Sequence, residues 1–263
     1  MSSQFACSAG ADKGVAQMAA KVTLVFRSSM NNTVTGISEK IPRHLRDLFS
    51  SLLGEVSWIR EQWQMYETLY GREDHCNLLN KSAPMFFYMV DYLFIDGFIL
   101  ALSRLGDPAK QTIKKQTVEN FTLEQLLLRL DRTAQADLIQ KLKPLLADYQ
   151  SKCAAIREQR RKRVAHADFN TKMEADKHPL PDVSRQVIEG ALMAAEDYLN
   201  RVECYFSGID CSPSRNILTP DTAHTLLDRL YKAVAYDKLH AEGKIELGYA
   251  HKLARLRGEE GLG

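Results

Sequence analysis

The sequence is short of several features that would narrow its class at once. Almost nowhere do apolar and polar residues alternate as they do along a half-buried strand, which argues against sandwich, barrel and doubly wound folds. No C-x-x-C pair occurs, and no cysteine–histidine group has zinc spacing. The five cysteines (Cys7, Cys76, Cys153, Cys204, Cys211) are odd in number and scattered. Neither a disulfide framework nor a structural zinc site is therefore expected; reduced thiols in a cytoplasmic protein are. His75 beside Cys76 reads as a chance neighbour. The opening "MSSQFACSAGADKGVAQMAAK" lacks a basic stretch followed by an apolar core, so it does not read as a signal peptide. No internal repeat or low-complexity tract stands out. Charge of neither sign dominates: 35 Lys and Arg face 33 Asp and Glu, for a formal net charge of +2. Any anion-binding site must then be local.

One hydrophobic run is long, "APMFFYMVDYLFIDGFILALSRL", residues 83–105. Its length is nearly that of a membrane span. Asp91 and Asp96 sit in its middle, and each costs roughly 2.5–3.5 kcal/mol at a bilayer centre. The expectation is a helix buried almost all round in a soluble bundle, with no membrane partner.

What is present is helical periodicity. Apolar positions at helical spacing run over 41–70, starting near Pro42 and stopping before Gly71. The run 83–105 is the next helix, ended by Gly106 and Pro108. A polar loop leads to "FTLEQLLLRL", where Thr122 and Gln125 have the form of a capping box. A helical region from about Ala136 to Phe169 contains Pro144, expected to kink or divide it. "TKMEADKHPLPD" reads as a loop and 183–206 as a helix. A last helical region has Thr219 as cap and Pro220 in its first turn. "KVTLVF", near the start, is the one candidate strand. The fold class is all-α, an antiparallel helical bundle over 41–208. Residues 1–40 form a poorly specified lead-in and 209–263 a helical appendage. Trp58, Trp63, Tyr66 and Tyr70 recur at helical intervals and read as core or dimer contacts rather than base-stacking platforms.

The stretch "REQRRKRVAHAD", residues 157–168, sets Arg157, Arg160, Arg161, Lys162 and Arg163 ahead of His166. On a straight helix at 100° per residue, Leu142, Tyr149, Cys153, Ile156, Val164 and Ala167 form an apolar stripe. Arg160 falls inside it and Arg163 at its edge, while Arg161 and His166 lie on opposite flanks. One reading is a solvated basic face. The other is a phosphate site: guanidinium groups match phosphate oxygens, and a histidine moves a proton near neutral pH. An arginine on a buried stripe needs a partner, which favours a built site.

"RRKRVAHAD" resembles the signature of the HEPN superfamily, an arginine and a histidine four to six residues apart late in a long helix. The likeness is greatest to its abortive-infection branch, whose pattern is approximately R-[ND]-K-R-hydrophobic-A-H-x-D. Arg160 matches the family arginine, Arg163 the second arginine, His166 the histidine and Asp168 the trailing acid. Arg161 stands where the family usually has Asn or Asp. It also meets the looser spacing, so Arg160 and Arg161 both stand as the motif arginine. A second marker, S-R-L-x-D-P at the end of a long apolar helix, is matched by Ser103, Arg104, Leu105, Asp107 and Pro108, about 60 residues earlier. The resemblance covers roughly residues 80–206.

The resemblance implies an antiparallel bundle that forms a homodimer, with a composite ribonuclease site at its two-fold, no metal and no cofactor. His166, Arg160 and Arg161 would be catalytic, and Arg163, Lys162 and Arg157 RNA-binding. Asp168, Arg104 and Asp96 would support them, although Arg104 also has a structural reading as a cap at the end of its helix, and Asp91 and Asp96 as charges paired with buried arginines. RNA is the implied partner, with an antitoxin or a nucleotidyltransferase as a candidate second one. The superfamily also contains catalytically silent members that bind RNA, nucleotide or protein, and this remains the other reading.

Overall fold

The computed structural model describes residues 39–208, apart from 114, 166, 167 and 175, and residues 222–245. Its regular structure comprises helices α1 (Arg43–Tyr70), α2 (Glu73–Ser82), α3 (Pro84–Leu105), α4 (Leu123–Arg129), α5 (Ala136–Lys152), α6 (Ala154–Gln159), α7 (Phe169–Met173), α8 (Arg185–Ser207) and α9 (Ala223–Ala241). One small hairpin interrupts them, β1 (Lys110–Ile113) paired antiparallel with β2 (Gln116–Glu119). The fold is thus all-α in its framework, as expected. The hairpin is an addition to what was read as a polar loop. Its second strand is exposed throughout, so no apolar face marks it in sequence. The candidate strand "KVTLVF" lies outside the described residues.

The chain divides into two compact units, with α1 and α3 contributing to both. In the first, described by residues 39–58 and 102–208, Ile41, Leu45, Phe49, Leu52 and Val56 are buried at steps of three and four residues. Helices α5 and α8 pack on each other, with Leu138, Leu142, Leu146 and Tyr149 buried on α5 and Ile188, Leu192, Tyr198 and Val202 on α8. The Tyr198 hydroxyl donates to the Leu123 carbonyl at 3.0 Å and so ties α8 to α4. Gly208 closes α8 in the left-handed region at φ 72°, which glycine adopts without a Cβ clash.

The second unit, described by residues 59–101 and 222–245, buries Leu69, Leu78, Leu79, Phe87, Ala223 and Leu227 in one cluster. Helix α2 packs on α9. Trp63 and Tyr66 are buried and stack at 5.3 Å, and Phe98 meets both edge-on. They are core, as their helical recurrence predicts. The ring nitrogen Nδ1 of His75 is 2.6 Å from the Thr68 carbonyl, and the Cys76 thiol donates to the Tyr70 carbonyl, so both serve the local backbone.

Three expectations are corrected. Of the kink or division expected at Pro144, the division does not occur: α5 runs through it, and the break falls at Cys153. Pro144 and Gln140 are exposed, so water can reach the carbonyl that proline leaves without a donor. At α4, Thr122 occupies the N-cap position without a side-chain cap bond, and the Gln125 amide reaches the Ala109 carbonyl at 2.7 Å instead. Helix α3 is not buried all round; only 22% of its most apolar 18-residue window is buried. Phe87, Phe98, Ile99, Leu102 and Leu105 are inside, while Met85, Phe86, Tyr88, Met89, Tyr92, Leu93 and Leu100 are exposed. It is long and apolar enough to cross a membrane. Thr219 and Pro220 lie outside the described residues, and the described helix opens at Ala223 after Thr222.

Candidate functional site

The Arg-rich stretch does not continue a straight helix. After the break at Cys153, α6 runs only to Gln159, and Arg160–Val164 form a π-helical turn. The Ala165 N–H donates to the Arg160 carbonyl five residues back, at 2.8 Å. Such wide turns are rare and concentrate at functional sites. The wheel that put Arg161 and His166 on opposite flanks assumed 100° per residue, and the segment leading to His166 does not keep that step.

Two of the five basic side chains reach back to the turn that ends α3. Arg157 Nη2 donates to the Gly106 carbonyl at 2.7 Å. Arg160 Nη1 donates to both oxygens of Asp107, at 2.9 and 2.7 Å, with the two side chains only 30% and 29% exposed. The arginine on the apolar stripe thus has the partner its burial demands. The stripe itself is as predicted over its first members: Leu142, Tyr149, Cys153 and Ile156 are fully buried.

The turn is built to receive them. Gly106 is buried, and a Cβ on it would stand 2.6 Å from Arg157 Nη2 and 3.0 Å from the Tyr149 ring. A side chain at this position would push the guanidinium out of its present place. The Tyr149 hydroxyl donates to the Leu102 carbonyl. Burial pushes its phenol well up, and the Cys153 thiol is likewise raised by burial. Past Asp107, the Ala109 N–H donates to Glu124 Oε2 at 2.6 Å and fixes the turn to α4.

The other cations have partners close to them in sequence. Arg161 is 68% exposed and donates through Nε and Nη2 to Glu158, which Lys162 also meets at 3.0 Å. These two cations hold the Glu158 carboxyl below its ordinary range, and Glu158 raises Arg161 in turn. Arg163 Nε donates to Gln159 Oε1 at 2.8 Å. Asp168 accepts from the backbone N–H and hydroxyl of Thr171, at 2.9 and 2.8 Å, which caps α7 and lowers its carboxyl. Arg104 pairs with Glu55 of α1 at 3.2 Å and does not cap its own helix. Asp96 lies on α3 in the second unit. His166 lies outside the described residues. Among the described residues, no group of three His, Cys, Asp or Glu could hold a metal ion.

The pairing of Asp107 with Arg160 was not read from the sequence, although a signal existed. An arginine on a buried stripe requires an acid, and Asp107 is the acid of the second sequence marker. The two markers, about 50 residues apart at these positions, are halves of one contact.

A helical bundle whose Arg-rich turn late in a long helical region is pinned to the end of an apolar helix belongs to the HEPN class. The family model HEPN AbiU2 matches residues 43–224, and the chain belongs to this abortive-infection HEPN family. No curated protein and no solved structure matches the chain.

Proposed function

We propose that the protein is an endoribonuclease of phage defence that cuts RNA without a metal, through attack by the ribose 2′-hydroxyl. The observation that carries the reading is the division of labour in the Arg-rich turn. Arg157 and Arg160 are spent on holding it to Gly106 and Asp107, while Arg161 is 68% exposed, paired with the neighbouring Glu158 and close to the Asp168 charge. An exposed ion pair is weak and is readily exchanged for a phosphate. Arg161 then holds the scissile phosphate and the charge that builds on it. His166 takes the 2′-hydroxyl proton, and a second group, His166 of another copy in a homodimer, protonates the leaving oxygen. Lys162 and Arg163 extend the cationic surface along the strand. A 2′,3′-cyclic phosphate end results.

Purified protein in EDTA is expected to cut single-stranded RNA and to leave DNA intact. His166→Ala should lose about a hundred- to ten-thousand-fold in rate. Arg161→Ala should lose about a hundred- to a thousand-fold with unchanged stability. Undiminished cleavage by folded His166→Ala refutes the mechanism. A second reading, an RNA-binding module without catalysis, is favoured by Arg161 standing where the family pattern has Asn or Asp. Binding without cleavage across varied RNAs would establish it.

A further inference from the structure

Helix α3 carries seven exposed large apolar side chains between Met85 and Leu100. At 100° per residue they fill one half of the helix surface, with Met89 and Asp96 near its midline and Phe87 and Phe98 buried on the opposite half. At about 200 Å² for a whole side chain of this size, the seven expose on the order of 800 Å². This exceeds the largest apolar patch of a typical monomer, about 300–600 Å². It equals one partner's share of a standard interface, about 800 Å² per side.

We propose that this face docks against the same face of a second copy of the chain, with the two α3 helices antiparallel. Charge selects the occupant. From Ala83 to Ser103 the sequence has two acids, Asp91 and Asp96, and no Lys or Arg. An anionic lipid surface, which recruits through basic residues, is therefore a poor match. A face of Met, Phe, Tyr and Leu is complementary to itself in a two-fold contact.

Charge also selects the direction. A parallel pair aligns the two helix dipoles, which an antiparallel pair opposes. An antiparallel pair with its axis near Tyr92 and Leu93 sets Met85 opposite Leu100 of the other copy. At 1.5 Å rise per residue, the Gly106 ends of the paired helices then lie about 40 Å apart. The contact is consequently separate from a two-fold that joins the Arg-rich turns, and a chain using both assembles beyond a dimer.

The test is the light-scattering mass of the full chain at micromolar concentration, for wild type, Leu93→Arg and Met89→Arg. Both substitutions fall on exposed side chains, and helix content and Tm are checked in parallel. The wild type is expected above monomer mass, falling at least twofold in each variant. Mixed Met85→Cys and Leu100→Cys chains should cross-link with a short bismaleimide faster than Met85→Cys with itself. A monomeric wild type, a mass unchanged by both arginines, or faster Met85→Cys self-linking overturns the proposal. So does flotation of a monomeric wild type with phosphatidylcholine vesicles that Leu93→Arg abolishes, which would assign the face to lipid. Cleavage plays no part in the readout, so loss of the ribonuclease reading leaves this inference standing.

Discussion

At Arg160, the two oxygens of Asp107 stand where a phosphate's oxygens would have to stand if that guanidinium held one. The pair lies between the exposed limit, worth about 0–1 kcal/mol, and the buried limit, where loss of one partner costs about 3–5 kcal/mol. A double-mutant cycle of Arg160→Ala and Asp107→Ala, read by chemical denaturation, should give a coupling of about 1–3 kcal/mol. A coupling near zero would return Arg160 to the list of phosphate ligands. Asp168 acts by a different route. Its folded carboxyl is held below the ordinary value of 3.8 by the Thr171 N–H and hydroxyl. A lowered carboxyl stabilises the fold fully above its unfolded value and loses that contribution as pH falls through the folded one. The Tm deficit of Asp168→Ala relative to wild type should therefore be full at pH 6 and shrink below about pH 4. A deficit independent of pH would mean that the carboxylate charge is not what caps α7.

Among elements, the long helices were legible and the irregular ones were not. The starts and stops of α1 and α3 follow from Pro42, Gly71, Gly106 and Pro108, residues whose backbone chemistry leaves few choices. Helix α2 was missed because it is only ten residues long and its two buried residues, Leu78 and Leu79, are adjacent in sequence. The hairpin was missed because its visible faces are polar. The π turn has no residue-level signature, since it is a matter of one extra residue in a turn. The site was thus half legible: the basic cluster could be found, but its division into clamping and exposed arginines required the turn and the end of α3. Pro144 offers a test of how α5 tolerates its missing bond. Pro144→Ala restores a donor to the Gln140 carbonyl and should raise stability by about 1–2 kcal/mol, seen as a higher Tm. An unchanged or lower Tm would show that the packing of α5 on α8 already accommodates the proline.

On the scale of the whole molecule, the second unit is closed by a distant part of the chain. Leu227 of α9 is buried among Leu69, Leu78, Leu79 and Phe87. Leu227→Ala should cost about 2–5 kcal/mol. Hydrogen exchange should quicken in α2 and the first part of α3, while α5 and α8 stay protected, because the lost contacts belong to one unit only. Uniform loss of protection would mean that the two units open together.

The same arrangement sets an order of events on the ribosome. Leu79 must wait for Leu227, and at about 5–20 residues per second the interval is roughly 7–30 seconds. Over that time the nascent chain presents Leu69, Leu78, Leu79 and Phe87 together with the outer face of α3, a sticky surface without its lid. The first unit, whose α5 and α8 are both made before α9, can settle earlier. Synthesis halted before α9 emerges would therefore release a chain folded at one end and ready to aggregate or be captured by chaperones at the other.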